Sequence, residues 1–153
     1  MNRSRQHCGV SALVAAVTFC LAGFDAAVAA GESPALAYRL HCNGCHMEDG
    51  SGAKAGRIPP IPGIAGHFLK HEKGRLYLVS VPGVVNSGLP DGETAQVLNY
   101  ILEVFGANEA PVNWQRFTGD EVRRLRTIKV DDITALRNEI ATDLAKQGID
   151  LQY

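Results

Sequence analysis

Apolar residues recur at helical spacing through residues 91–105, where Val97, Leu98, Ile101, Leu102 and Phe105 form one stripe. Asp91 suits the cap of that helix, Glu93 suits its positive N-terminus, and Gly106 ends it. Near the start, Ser33-Pro34 reads as a cap followed by a first-turn proline. This predicts a helix running to about Cys42, with Leu36, Tyr38 and Leu40 toward packing partners. Two more helices are predicted beyond residue 106. FTGDEV sets Thr118 three residues before Glu121, a capping box, with Val122 and Leu125 as the apolar edge. Asp131 or Asp132 starts the second, with Ile133, Leu136, Ile140 and Leu144 on one face and Gly148 as its stop.

The middle of the chain is less regular. GSGAKAGRIPPIPGIAG is too rich in glycine and proline for a regular element and should wrap around something. Residues 67–73 suit a short helical turn. RLYLVSV, residues 75–81, has strand-like residue types, but no partner strand is evident, so helix or extended loop is expected. No internal repeat stands out. The fold class expected is all-α.

The first thirty residues follow another pattern. Arg3 and Arg5 precede an apolar run from Val10 to Leu21, and small residues follow at Ala27, Ala29 and Ala30. That order is a secretory signal peptide, with cleavage near Ala29 or Ala30. The run is 12 residues long, whereas a membrane span needs about 20. Cys20 follows Phe19 rather than a small residue, which argues against lipid attachment. The expected organisation is a signal peptide at 1–30, a core domain at 31–106 and a helical extension at 107–153. The mature protein is expected in the periplasm without a stable membrane span.

Composition adds little until the signal is removed. The 153 residues are 46% apolar and 20% charged with net charge −1, ordinary for a globular chain and not basic enough for nucleic acid. Removing residues 1–30 takes away Arg3, Arg5 and Asp25, leaving net charge −2. It also removes Cys8 and Cys20, so only Cys42 and Cys45 remain.

Those two cysteines lie in HCNGCHM. Cys42-Asn43-Gly44-Cys45-His46 matches CxxCH, the attachment pattern of a covalent c-type haem. Each sulfur adds to one haem vinyl group, and the two intervening residues set both sulfurs along one edge of the macrocycle. His46 then falls beneath the iron as its proximal ligand. A zinc site would need further Cys or His at matching spacing, and a redox dithiol would need a βαβ setting. Neither pattern is present.

Over about residues 33–105 the sequence resembles the monohaem class I c-type cytochromes. YRLHCNGCH, residues 38–46, is similar to the end of that family's N-terminal helix and its haem motif. IPPIPG, residues 58–63, is similar to its P-x-L-x-G segment, and LPDGETAQVLNYIL, residues 89–102, resembles its final helix. The resemblance implies a helical fold around one haem c. It also implies that the Pro59 carbonyl accepts the His46 ring N–H, fixing the tautomer and strengthening the ligand.

The sequence departs from the family at the second axial ligand. That ligand is usually a methionine in the loop before the last helix, and VSVPGVVNSGLPD, residues 79–91, contains none. Met47 and His41 adjoin the proximal motif and would have to cross the haem plane. The open candidates are His67 and His71, spaced i and i+4 in GHFLKH, Asn86 within the loop, and a water-bound or open position. Lys54 is more remote. Asn86 also reads as a turn residue, and both histidines as solvent-facing polar groups.

Three readings follow. One is an electron carrier, not an enzyme, exchanging single electrons with an exported redox enzyme as donor or acceptor. The alternative is a haem protein that binds or senses a small ligand at an open or weakly held sixth position, with weak peroxidase-like activity as a side possibility. A third reading makes the protein a dedicated subunit held to one enzyme by its tail. The two tail helices read as packing onto the core, or more sharply as a docking surface through Arg123, Arg124 and Arg126.

Overall fold

Helix α1 (Pro34–His41) packs against α5 (Asp91–Val104), although some fifty residues separate them. In this computed structural model residues 32–56 and 58–151 are described, so the export signal read at 1–30 lies outside the described residues. The Ser33 side chain caps α1 by accepting the Leu36 N–H at 3.3 Å. Ala37 and Tyr38 are buried against Val97, Leu98 and Leu102 of α5. Leu36 and Leu40 do not follow: they are 43% and 60% exposed. At about 100° per residue, positions 36 and 40 share one helix face and 38 lies nearly opposite, so the three leucine and tyrosine side chains cannot all turn inward.

Between these helices the chain is folded in short pieces. A four-residue helix, α2 (Asn43–His46), follows α1 directly, with Cys42 ending one and starting the other. A 3-10 turn lies at Lys54–Gly56, and another at Ala65–Lys70 starts earlier than the helical turn expected at 67–73 and ends at Lys70. The strand-like run is helix α3 (Gly74–Ser80). A single-turn helix, α4 (Pro82–Val85), interrupts the loop before α5 and had no signal beyond Pro82 at its first position. Among the described residues the only pairing of extended backbone is one antiparallel bridge, Ala53–Ile58. The fold is all-α.

The tail forms α6 (Gly119–Arg126) and α7 (Ile133–Ala145). Thr118 Oγ1 accepts the Glu121 N–H at 3.2 Å and Asp132 accepts from Thr134 and Ala135, so both predicted caps form. The Glu121 carboxylate does not reach back to the cap. It takes a two-pronged hydrogen bond from Arg75 of α3, at 2.5 and 2.6 Å, while Arg75 lies 3.8 Å over the Phe117 ring. At α5, Pro90 holds the cap position, and the Asp91 carboxylate binds Arg126 and Arg123 of the tail instead.

Two apolar cores result. The first joins α1, α3, α5 and α6 through Tyr38, Val79, Leu98, Leu102, Phe117 and Val122. The second sets Ile140 and Leu144 of α7, with Leu151, against Ile64, Phe68 and Tyr77. Val122, Ile140 and Leu144 are fully buried, each contributing about 1.5–3 kcal/mol. The tail therefore packs onto the body. Arg123 and Arg126 are engaged with Asp91, and Arg124 is exposed.

Candidate functional site

The CxxCH segment is held in place by backbone hydrogen bonds from both sides. Cys42 N–H closes α1 on Tyr38 O at 2.9 Å, and His46 N–H returns to Cys42 O at 3.0 Å. The glycine- and proline-rich segment then wraps back on the motif: Gly52 N–H donates to His46 O at 3.0 Å, and Ile61 N–H to Gly50 O at 2.8 Å. Gly52 has φ +71, and a Cβ there would lie 2.4 Å from Ile58 O and 2.6 Å from Pro59 O. Glycine is needed at this position because two stretches of backbone pass at contact distance. That close approach is what carries Pro59 to His46.

Cys42 and Cys45 are free thiols, the first half-buried and the second exposed. Burial, reinforced by the neighbouring Cys45, pushes the Cys42 thiol up to about 11. The His46 ring is partly enclosed, and burial pushes its pKa below the ordinary histidine value. The Pro59 carbonyl acts in the opposite direction on the same ring. Nδ1 of His46 is buried without a partner at full hydrogen-bond geometry. Two unpaired sulfurs beside a neutral imidazole suit the covalent haem that the motif implies: the sulfurs for two thioether bonds, and the ring for the iron. Among the described residues no group of three or more His, Cys, Asp or Glu is gathered to cage a metal ion.

Tyr38 and Met47 add a feature that sequence reading missed. Met47 follows His46 with φ 64 and ψ 167, a region that glycine occupies almost alone. The Tyr38 hydroxyl donates to the Met47 carbonyl at 2.6 Å and holds this turn. Burial, with the nearby Cys42, raises the Tyr38 phenol to about 12. A tyrosine on the buried face of a helix is the one sequence clue, since its hydroxyl needs a partner.

The distal candidates have different surroundings. His71 is enclosed: Nε2 lies 3.3 Å from Asp143 Oδ2 of α7, and Nδ1 accepts the Lys73 N–H at 3.1 Å. His67 has Nδ1 3.2 Å from Lys70 Nζ, and burial together with Lys70 lowers its pKa, against Glu109. Asn86 ends α4, exposed, and its side chain makes no hydrogen bond among the described residues. Its neighbour Ser87 is engaged with Val84 O and Leu89 N. Lys54 is exposed on its 3-10 turn, Met47 is 41% exposed, and His41 sits 3.7 Å from Glu32. Two further residues had only weak sequence signals. Asn99 interrupts the apolar face of α5 and is buried, and Arg126 reaches back to the start of that helix.

No protein-family model matches the chain. Two curated relatives do. Cytochrome c-552 of Thermus thermophilus is 34% identical over 107 residues, covering 58% of this chain and 81% of the relative. Cytochrome c-552 from a defined strain of that organism has the same identity over the same length, covering 72% of the relative.

Proposed function

The chain belongs to the class I c-type cytochromes, and from that premise we propose that it is exported to the periplasm and that the loop at 82–90 would supply the sixth ligand of its iron. It is a c-type cytochrome electron carrier with covalently bound haem c, and it is not an enzyme. The haem, once attached, supplies one-electron chemistry between ferric and ferrous iron. The protein supplies attachment, ligation and enclosure.

Cys42 and Cys45 form the two thioethers, and His46 ligates the iron. The enclosed ring and the Pro59 carbonyl beside it support that role, because a neutral imidazole steadied at its second nitrogen is a stronger ligand. Residues 31–106 make up the haem domain and 107–153 the extension. An exported redox enzyme is the partner, meeting the cytochrome through a small, transient interface.

His71 serves the fold rather than the iron in this reading, because both of its ring nitrogens are engaged. Asn86 is the polar side chain of the loop left without an internal bond, and its amide oxygen is a weak ligand for ferric iron. When haem is bound, so weak a ligand would leave the ferrous iron accessible to an added molecule. That favours a second reading in which the same protein binds a small diatomic ligand such as CO or NO.

The single observation that carries the main reading is the CxxCH turn, sewn to the Pro59 segment through Gly52 and Ile61. Optical spectra of the oxidised and reduced protein, with and without CO, test the sixth position. Rapid CO binding by the ferrous form is expected, and a low-spin ferrous form that refuses CO sinks the weak-ligand assignment. Covalent haem surviving in the Cys42→Ala, Cys45→Ala double variant refutes the attachment.

A further inference from the structure

The loop at 82–90 is fastened at one end by the tail. Nη1 and Nη2 of Arg126 lie 3.3 and 3.2 Å from the Leu89 carbonyl. The same guanidinium donates to Asp91 Oδ1 at 2.6 Å and to Thr94 Oγ1 at 3.0 Å, and Thr94 itself donates to Leu89 O at 3.2 Å. One planar group thus ties the last buried residue of the loop to the first turn of α5. The fixed fork of N–H directions lets this one guanidinium meet all three acceptors at once.

The other end of the loop has room behind it. Pro82, Val85 and Asn86 border a cavity of about 700 Å³, with Arg126 itself and Ile128, Val130 and Ile133 of the tail among its other walls. The loop is therefore fastened to the tail at Leu89, while its Asn86 end borders open space.

We propose that Arg126 is a positioning residue: by pinning Leu89 it sets where the loop stands over the iron, and hence how firmly the sixth position is held. This rests on the reading that the loop supplies the distal side of the haem. The tail then tunes the redox centre without touching it.

The test uses the full-length holoprotein and four variants. Arg126→Leu removes the clamp, and Arg126→Lys keeps the charge but not the fork. Arg75→Leu loosens the same tail from α3, at Glu121, without contacting the loop. Val85→Trp perturbs the loop itself. Both Arg126 variants are expected to change the CO association rate of the ferrous protein by about fivefold or more. They are also expected to shift the reduced-to-oxidised ratio at fixed ambient potential by about tenfold, which is about 59 mV for one electron. Arg75→Leu should leave both within about twofold. If Arg126→Leu does not accumulate, Arg126→Lys decides. Unchanged Arg126 variants beside a responsive Val85→Trp overturn the clamp but leave the loop over the iron. An unresponsive Val85→Trp removes the loop from the iron, and both readings fall. An equal response from Arg75→Leu reduces the effect to general loosening and also overturns the clamp.

Discussion

The side chain of Asn99 pairs with the backbone of Phe117 in both directions. Nδ2 donates to Phe117 O at 3.0 Å, and Oδ1 accepts the Phe117 N–H at 2.7 Å. Both residues are 3% exposed. The pair fixes the entry to α6 on helix α5. Asn99→Ala leaves a buried N–H and C=O without partners. Urea unfolding of the holoprotein should show a loss of about 2–4 kcal/mol. A loss below about 0.5 kcal/mol means that water or another group replaces the amide.

Tyr38 and Met47 make opposite predictions. Tyr38→Phe removes the hydroxyl that restrains the turn after His46 and should destabilise by about 1 kcal/mol. Met47→Gly relieves the backbone conformation and should stabilise by about 1 kcal/mol. There is a pH signature as well. The folded phenol titrates near 12, above its ordinary value. The folded state therefore holds this proton more tightly, and the stability it contributes is complete below about pH 10. That stability is lost as pH rises toward 12. The alkaline fall in stability should be shallower in Tyr38→Phe than in the parent, and identical curves would rule out the contribution.

For His71, the expectation is a structural effect without a spectral one. His71→Ala should leave the oxidised and reduced spectra unchanged, while limited proteolysis cuts faster around α7. A changed spectrum would make it an iron ligand. Its partner Asp143 is held below the usual carboxylate range by Lys146 first and by His71. The stability Asp143 contributes is present above the ordinary carboxylate pKa and lost as pH falls through the lowered one. Asp143→Asn should flatten that acid limb.

Two glycines separate backbone need from open space. Gly52→Ala drives a Cβ into Ile58 O and Pro59 O. It should cost more than about 3 kcal/mol and lower the yield of haem-loaded protein. At Gly92, in the first turn of α5, a Cβ meets nothing within 4 Å. Gly92→Ala should therefore stabilise by about 0.5–1 kcal/mol, read from the same urea curves.

What the sequence made legible was local. The attachment motif, the stripe of α5 and the caps at Ser33, Thr118 and Asp132 each depend on residues within a few positions. Long-range geometry was not legible. Glu121 satisfies the capping-box pattern, yet it turns to Arg75, 46 positions away, because a charged fork outcompetes a backbone N–H already near water. Leu36 and Leu40 fit an apolar helix pattern, but the partner helix fixed the opposite face as the inside. The distal side of the haem was the least legible. Residues 79–91 contain no methionine, and His67, His71 and Asn86 differ in their surroundings rather than in any sequence signal.

The second core bears on how the molecule behaves among other molecules. Phe68 and Tyr77 stack with ring centres 4.4 Å apart, and Ile140 and Leu144 of α7 belong to the same buried cluster. A carrier that must meet its partner briefly and let go needs a face free of adhesive patches. By covering this aromatic pair, α7 keeps that apolar surface from sticking. Losing α7 would thus be felt first as clumping, with the attachment motif at Cys42–His46 still intact.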